Sequence, residues 1–175
     1  QSVSITAASL RNDGSVIGGT DPRVNKVSAK SQRYTYPFAN RLFLTKTLCN
    51  THSGQVSSFG DWDISAEKIT NDGTISSSTN LRIKSKELTH GGRVIGGSGM
   101  TDIRIREKLT NQPDSKLWSK GTLYVSTRGN FINLGEIASV GFLSVHVLEA
   151  ADESGTDEST ADESVAVGLS SYGLI

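Results

Sequence analysis

The residues of this chain best suited to metal or nucleophilic chemistry are three histidines, His52, His90 and His146, and one cysteine, Cys49. A single cysteine rules out an internal disulfide framework and a Cys-rich zinc site. The histidines lie in separate stretches with no paired spacing, which leaves little material for a metal cluster. Serines are abundant, yet none sits in a nucleophile-elbow motif. The segment GGRVIGGSG, residues 91–99, is rich in glycine but lacks the Lys-Ser/Thr of a phosphate loop and precedes no helical pattern. Its glycines read as corners. The sequence therefore predicts no enzyme, no cofactor and no resident metal.

Three features point instead to binding. Arg82 and Lys84 alternate with Leu81 and Ile83, and Arg104 and Arg106 alternate with Ile103 and Ile105. If these segments stack as strands, four cations share one face. Like charges that close repel each other, and a polyanion such as lipopolysaccharide phosphate would relieve the strain. The competing reading is a solvated face kept basic for solubility. Tyr34, Tyr36 and Phe38 alternate between Arg33 and Arg41. They are either core in a wider coil or an exposed aromatic patch of the kind that recognises partners. ADESGTDESTADES, residues 151–164, repeats Asp-Glu-Ser every five residues. It matches neither an EF-hand loop nor the glycine-rich calcium nonapeptide. It reads as a solvated acidic loop, with weak calcium binding as the alternative.

Charge and composition bound the class. All 18 Lys and Arg lie at or before Arg128, and eight of the 18 acidic residues lie after it, so residues 1–128 carry a net +8 and residues 129–175 a net −8. The cations are dispersed rather than clustered in an arm or helix, which argues against a nucleic-acid partner. No apolar run reaches the roughly 18 residues that a membrane span needs, and no secretion signal is present at the N-terminus.

The elements that must carry these residues are short strands. Apolar-x-apolar pairs recur at Val3/Ile5, Leu42/Leu44, Trp62/Ile64, Leu81/Ile83, Ile103/Ile105, Leu123/Val125, Leu143/Val145 and Val165/Val167. From Leu44 onward the second members are 19 to 22 residues apart. The gap from Ile5 to Leu44 is close to two periods, and a degenerate unit around Val24 and Val27 would fill it. In most units an Asn follows the pair, at Asn12, Asn50, Asn71, Asn111 and Asn133, with His90 in the equivalent place; a Gly then follows at Gly14, Gly54, Gly73, Gly92 and Gly135, and an aliphatic residue two further on. Alternation with period two makes each pair a strand with one buried face. Gly and Asn suit corners because both tolerate unusual backbone angles.

A coil of about 20 residues cannot bury its own inward face, so coils must stack about 4.8 Å apart. Equivalent Asn side chains would then form an amide ladder. The expected fold is an all-β parallel β-helix (solenoid), right-handed in outline, with about 20 residues per coil. Residues 1–20 form a first coil, 21–41 an irregular coil or insertion, 42–148 the regular coils, 149–164 the acidic loop and 165–175 a final coil.

SITAASLRNDGSVIGG, ISAEKITNDGTISSSTNLRIKSKELTHGGRVIGG and LYVSTRGNFINLGEI resemble the repeat region of the filamentous-haemagglutinin family. These are large exoproteins exported by two-partner secretion, among them adhesins and contact-dependent inhibition proteins. The resemblance covers most of residues 2–20 and 42–145. It implies an internal slice of an extracellular rod on a Gram-negative cell surface, passed through an outer-membrane transporter during export. It further implies adhesion to, or recognition of, an outer-membrane protein or surface glycan of a target cell. Two rivals use other folds or chemistry: a viral jelly-roll coat protein, and a β-helix that binds or cleaves polysaccharide.

Overall fold

The computed structural model describes residues 2–19 and 40–148. Every regular element among them is a β-strand, and every strand pairing is parallel. The chain is a β-solenoid, as the repeat predicts. A jelly roll pairs its strands antiparallel, so that rival is excluded.

Each coil has three sides. The first two sides belong to one nine-stranded sheet and the third to a six-stranded sheet. In four coils a single long strand covers the first two sides: β1 (Ser4–Asn12), β3 (Asn40–Asn50), β8 (Leu81–His90) and β10 (Met100–Asn111). Elsewhere the corner splits it, into β5 (Trp62–Ser65) and β6 (Lys68–Asn71), or β12 (Thr122–Arg128) and β13 (Asn130–Asn133); β15 (Leu143–Leu148) begins the last coil. The third side stacks β2 (Ser15–Gly18), β4 (Gln55–Ser58), β7 (Thr74–Ser77), β9 (Arg93–Gly96), β11 (Lys116–Ser119) and β14 (Glu136–Ser139).

Alternation places an apolar column at the centre of each side, and on the first side further inward residues such as Trp62, Leu81 and Leu123 flank it. Ile5, Leu42, Ile64, Ile83, Ile103, Val125 and Val145 are in register on the first. Leu10, Leu48, Ile69, Leu88, Leu109 and Phe131 line the second. Val16, Val56, Ile75, Val94, Leu117 and Ile137 line the third. The middle coils bury these side chains completely, and burial of each contributes about 1.5–3 kcal/mol. At both ends the inward residues are only half-buried, because one neighbouring coil rather than two covers them among the described residues.

Two details of the repeat differ from the sequence expectation. In the first-side column Leu42, not Leu44, aligns with Ile64, and Ile103, not Ile105, aligns with Ile83. A slip of two residues leaves the buried face unchanged, so apolar spacing cannot detect it. Second, β1 pairs directly with β3, and β2 with β4. No coil lies between them, so the expected degenerate unit around Val24 and Val27 does not fill that place in the stack. Residues 20–39 enter the chain between β2 and β3 and lie outside the described residues, as do Tyr34, Tyr36 and Phe38, the acidic loop and the expected final coil.

Corner glycines are needed for a different reason than backbone angle. Among the described residues the only positive φ values belong to Gly129 (99°) and Asp114 (63°). At Gly73 a Cβ would sit 2.2 Å from the carbonyl oxygen of Gly54, and at Gly92 a Cβ would sit 2.1 Å from that of Gly73. Close contact between coils, not left-handed backbone, excludes a side chain there.

Candidate functional site

The buried asparagines and His90 are committed to the scaffold. Asn12 donates from Nδ2 to Asn50 Oδ1 (2.8 Å), and Asn50 in turn to Asn71 Oδ1 (2.7 Å). Asn71 donates to His90 Nδ1 (3.0 Å). Each of these side chains also reaches the third side of the next coil. Asn12 donates to the Gln55 carbonyl, Asn50 to Thr74, Asn71 to Arg93 and His90 Nε2 to Lys116. His90 thus does two of the three tasks of an Asn, as acceptor from the coil before and donor to the carbonyl after. It has no second N–H for the next ladder member, Asn111. Ser115 supplies that hydrogen instead, with Oγ 2.6 Å from Asn111 Oδ1. Asn111 then resumes the ladder to Asn133 (2.7 Å). Burial holds the His90 imidazole neutral by pushing its pKa below the ordinary value, against smaller opposing effects of its two hydrogen bonds and Asp72. With no exposed surface and both nitrogens engaged, His90 presents nothing to a substrate.

A second corner shows the same economy. Ser58, Ser77, Ser119 and Ser139 point inward at the end of the third side. Gly96 stands beside Ser119 in register. A Cβ at Gly96 would lie 1.7 Å from Thr101 Oγ1, which occupies the space and donates to Ser119 Oγ (3.1 Å).

What remains for chemistry is the outer surface. On the first side, one outward column runs Arg41, Asp63, Arg82, Asp102, Tyr124. Its charges alternate in sign between coils, an arrangement that favours cross-strand pairing. The next outward column runs Ser65, Lys84, Arg104, Ser126, His146. The four predicted cations therefore do not form one uninterrupted stripe. Lys84 and Arg104 are direct neighbours. Arg82 lies beside Asp102 instead, with Nε 3.9 Å from Oδ2. Arg106 falls where the register shifts between Ile105 and Lys108. The two-residue slip is the cause: aligning Ile105 with Ile83 would have set Arg104 beside Arg82.

Asp102 is the residue that sequence reasoning missed. Its side chain is 5% exposed and bonds Arg104 Nε at 2.9 Å. The signal was its place two residues before Arg104, on the same face of the strand. Beyond it the cations regroup. Lys84, Arg104 and Arg106 border one depression with Ser65 and Ser85. Arg104 and Arg106 also border an open groove of about 610 Å³ with Tyr124, Arg128, His146 and Leu148. Tyr124 stacks at a tilt on Phe142, ring centroids 5.8 Å apart. His146 faces outward, as the alternation predicts, and hydrogen-bonds Ser144 Oγ at 2.7 Å. Lys84, Arg106 and Arg128 are exposed and make no ion pair among the described residues. His52 sits apart, at a corner with Asp72, Thr74, Arg93 and Asp114. Among the described residues no His, Cys, Asp and Glu side chains group as a metal site, and no helix is long and apolar enough to cross a membrane.

These features define a parallel β-solenoid with an amide ladder through its interior and a basic groove on one outer face. Comparison with known protein families, with curated proteins and with solved structures gives no match for this chain.

Proposed function

We propose that the chain is a non-enzymatic, extracellular segment of a secreted bacterial exoprotein. It serves as a rigid scaffold that presents a recognition surface to a target cell. The observation that carries this reading is the division of labour in the solenoid. Its buried side chains join coil to coil, while the exposed cations Arg104, Arg106 and Arg128 gather in one groove with Tyr124, which packs on Phe142. A groove of this composition suits an anionic surface glycan, whose charges meet the guanidinium groups and whose sugar faces meet Tyr124. An outer-membrane protein with an acidic loop is the second class of partner. The resemblance of the repeats to two-partner-secretion exoproteins supports export through an outer-membrane transporter and a place at the cell surface.

The test is binding of fluorescently labelled chain to intact Gram-negative cells, on a panel lacking single outer-membrane proteins or lipopolysaccharide sugars. Saturable binding that disappears in one panel member, and that Arg106→Ser with Arg128→Ser weakens, is expected. A folded chain that binds no member would reduce the segment to a spacer.

A further inference from the structure

We infer that the basic groove is the docking site of the chain's own acidic segment, residues 149–164. This goes beyond the recognition reading and does not depend on it. The groove and the depression next to it, which share Arg104 and Arg106, together gather Lys84, Arg104, Arg106 and Arg128 along three adjacent strands, β8, β10 and β12, and Asp102 is the single carboxylate among their lining residues. Asp102 is nearly buried and already bonded to Arg104. The remaining positive charge faces water, with Arg104 directly beside Lys84.

The chain itself leads to this surface. Leu148, the last described residue, lines the groove and pairs with Arg128. The next 16 residues carry seven carboxylates and no cation. From β15 back to Lys84 on β8 is three strand steps, about 14 Å along the axis. Four or five extended residues span that distance at about 3.3 Å each. The segment is therefore long enough to bring Asp152 and Glu153 to Lys84, with Asp157, Glu158, Asp162 and Glu163 following in the sequence. Exposed ion pairs are individually weak. Here the tether raises their effective concentration to the millimolar range, so several together favour docking at low salt. The segment would then compete with any external polyanion for the same cations.

A nitroxide label at Ser159→Cys, in a Cys49→Ala background, reports the position of the segment through broadening of amide signals in the full chain. At low salt the amides of Lys84, Arg104 and Ser126 are expected to lose intensity selectively, and to recover it near 1 M salt, where charges are screened within about 3 Å. A chain with the seven carboxylates of residues 149–164 replaced by Asn and Gln controls for the tether alone. It should not broaden the Lys84 region, and Arg106→Ser with Arg128→Ser should also reduce the effect. Equal broadening in the acidic and neutralised chains, or broadening that salt does not change, overturns the proposal. Either result leaves the cell-binding experiment unaffected.

Discussion

Asn71 Nδ2 donates to His90 Nδ1 across 3.0 Å, in the core of a ladder otherwise made of asparagine amides. The opposite ring nitrogen faces the Lys116 carbonyl, which can only accept. The two contacts fix the neutral imidazole with its proton on Nε2. Protonating Nδ1 would set one donor against another and bury a charge. The folded-state pKa of His90 is therefore depressed, with burial as the main cause. An unfolded His titrates near 6.5, so below that pH the unfolded chain binds more protons than the folded one. Stability is expected to be flat in this respect above about pH 7. It should fall as pH drops below about 6.5 toward the folded-state value, by at most about 1.4 kcal/mol per pH unit. Chemical denaturation across pH 4.5–8 checks this. His90→Asn should flatten the acid limb, and an unchanged limb would remove His90 as its source.

The ladder also predicts a gradient of cost along the rod. Asn50 is fully buried, accepts from Asn12 and donates to Asn71 and Thr74. Asn50→Ala leaves the Asn12 amide and the Asn71 oxygen without their partner. With about 1–3 kcal/mol for each stranded buried group, a total of about 2–6 kcal/mol is expected in urea denaturation. Asn133 is exposed at the last link. Asn133→Ala should cost about 1 kcal/mol or less. Similar losses at both positions would mean that the amides act locally and not as a ladder.

Much of this architecture is legible in the sequence because each coil repeats the same physical demand. The Asn spacing identified all five ladder amides and His90 as their substitute. The register was not fully legible. Leu42 and Leu44 both face inward, as do Ile103 and Ile105, so choosing the wrong member changes no hydrophobic count. The bulge after Ile105 that absorbs the difference has no residue signature of its own. The consequence appears outside the core, where Asp102 rather than Arg104 comes to lie beside Arg82. Substitutions made from elsewhere in a coil were likewise hidden. Ser115 serves Asn111 from four positions on, and Thr101 fills space left open at Gly96 from five positions on.

That last pair gives a coupling test. Gly96→Ser would drive a side chain into the space held by the Thr101 hydroxyl, since even a Cβ would lie 1.7 Å from it. Overpacking of this kind costs about 1–3 kcal/mol. Thr101→Ala alone opens a small void and removes the donor to Ser119. Together the two changes restore one hydroxyl at the usual serine position. The double variant should be more stable than the sum of the single losses predicts, by about 0.5–3 kcal/mol. Strict additivity in the melting data would show that the two residues do not share this space.

The apolar columns give a comparison of the same kind between the middle and the end of the stack. Leu88 is wholly buried, with Ile69 on one neighbouring strand and Leu109 on the other. Ile137 pairs with Leu117 alone and is half-buried. In a stacked repeat each coil draws its stability from the two coils it touches. Leu88→Ala should therefore cost about 2–5 kcal/mol. Ile137→Ala should cost clearly less if the described coils are the end of the stack, because the residue lacks cover on one side and its surroundings can relax into solvent. A loss at Ile137 equal to that at Leu88 would require a further layer over β14. The alternating Val165, Val167 and Leu169 would be the first residues to test as that layer, since truncation at residue 164 should then return the Ile137 loss to its smaller value.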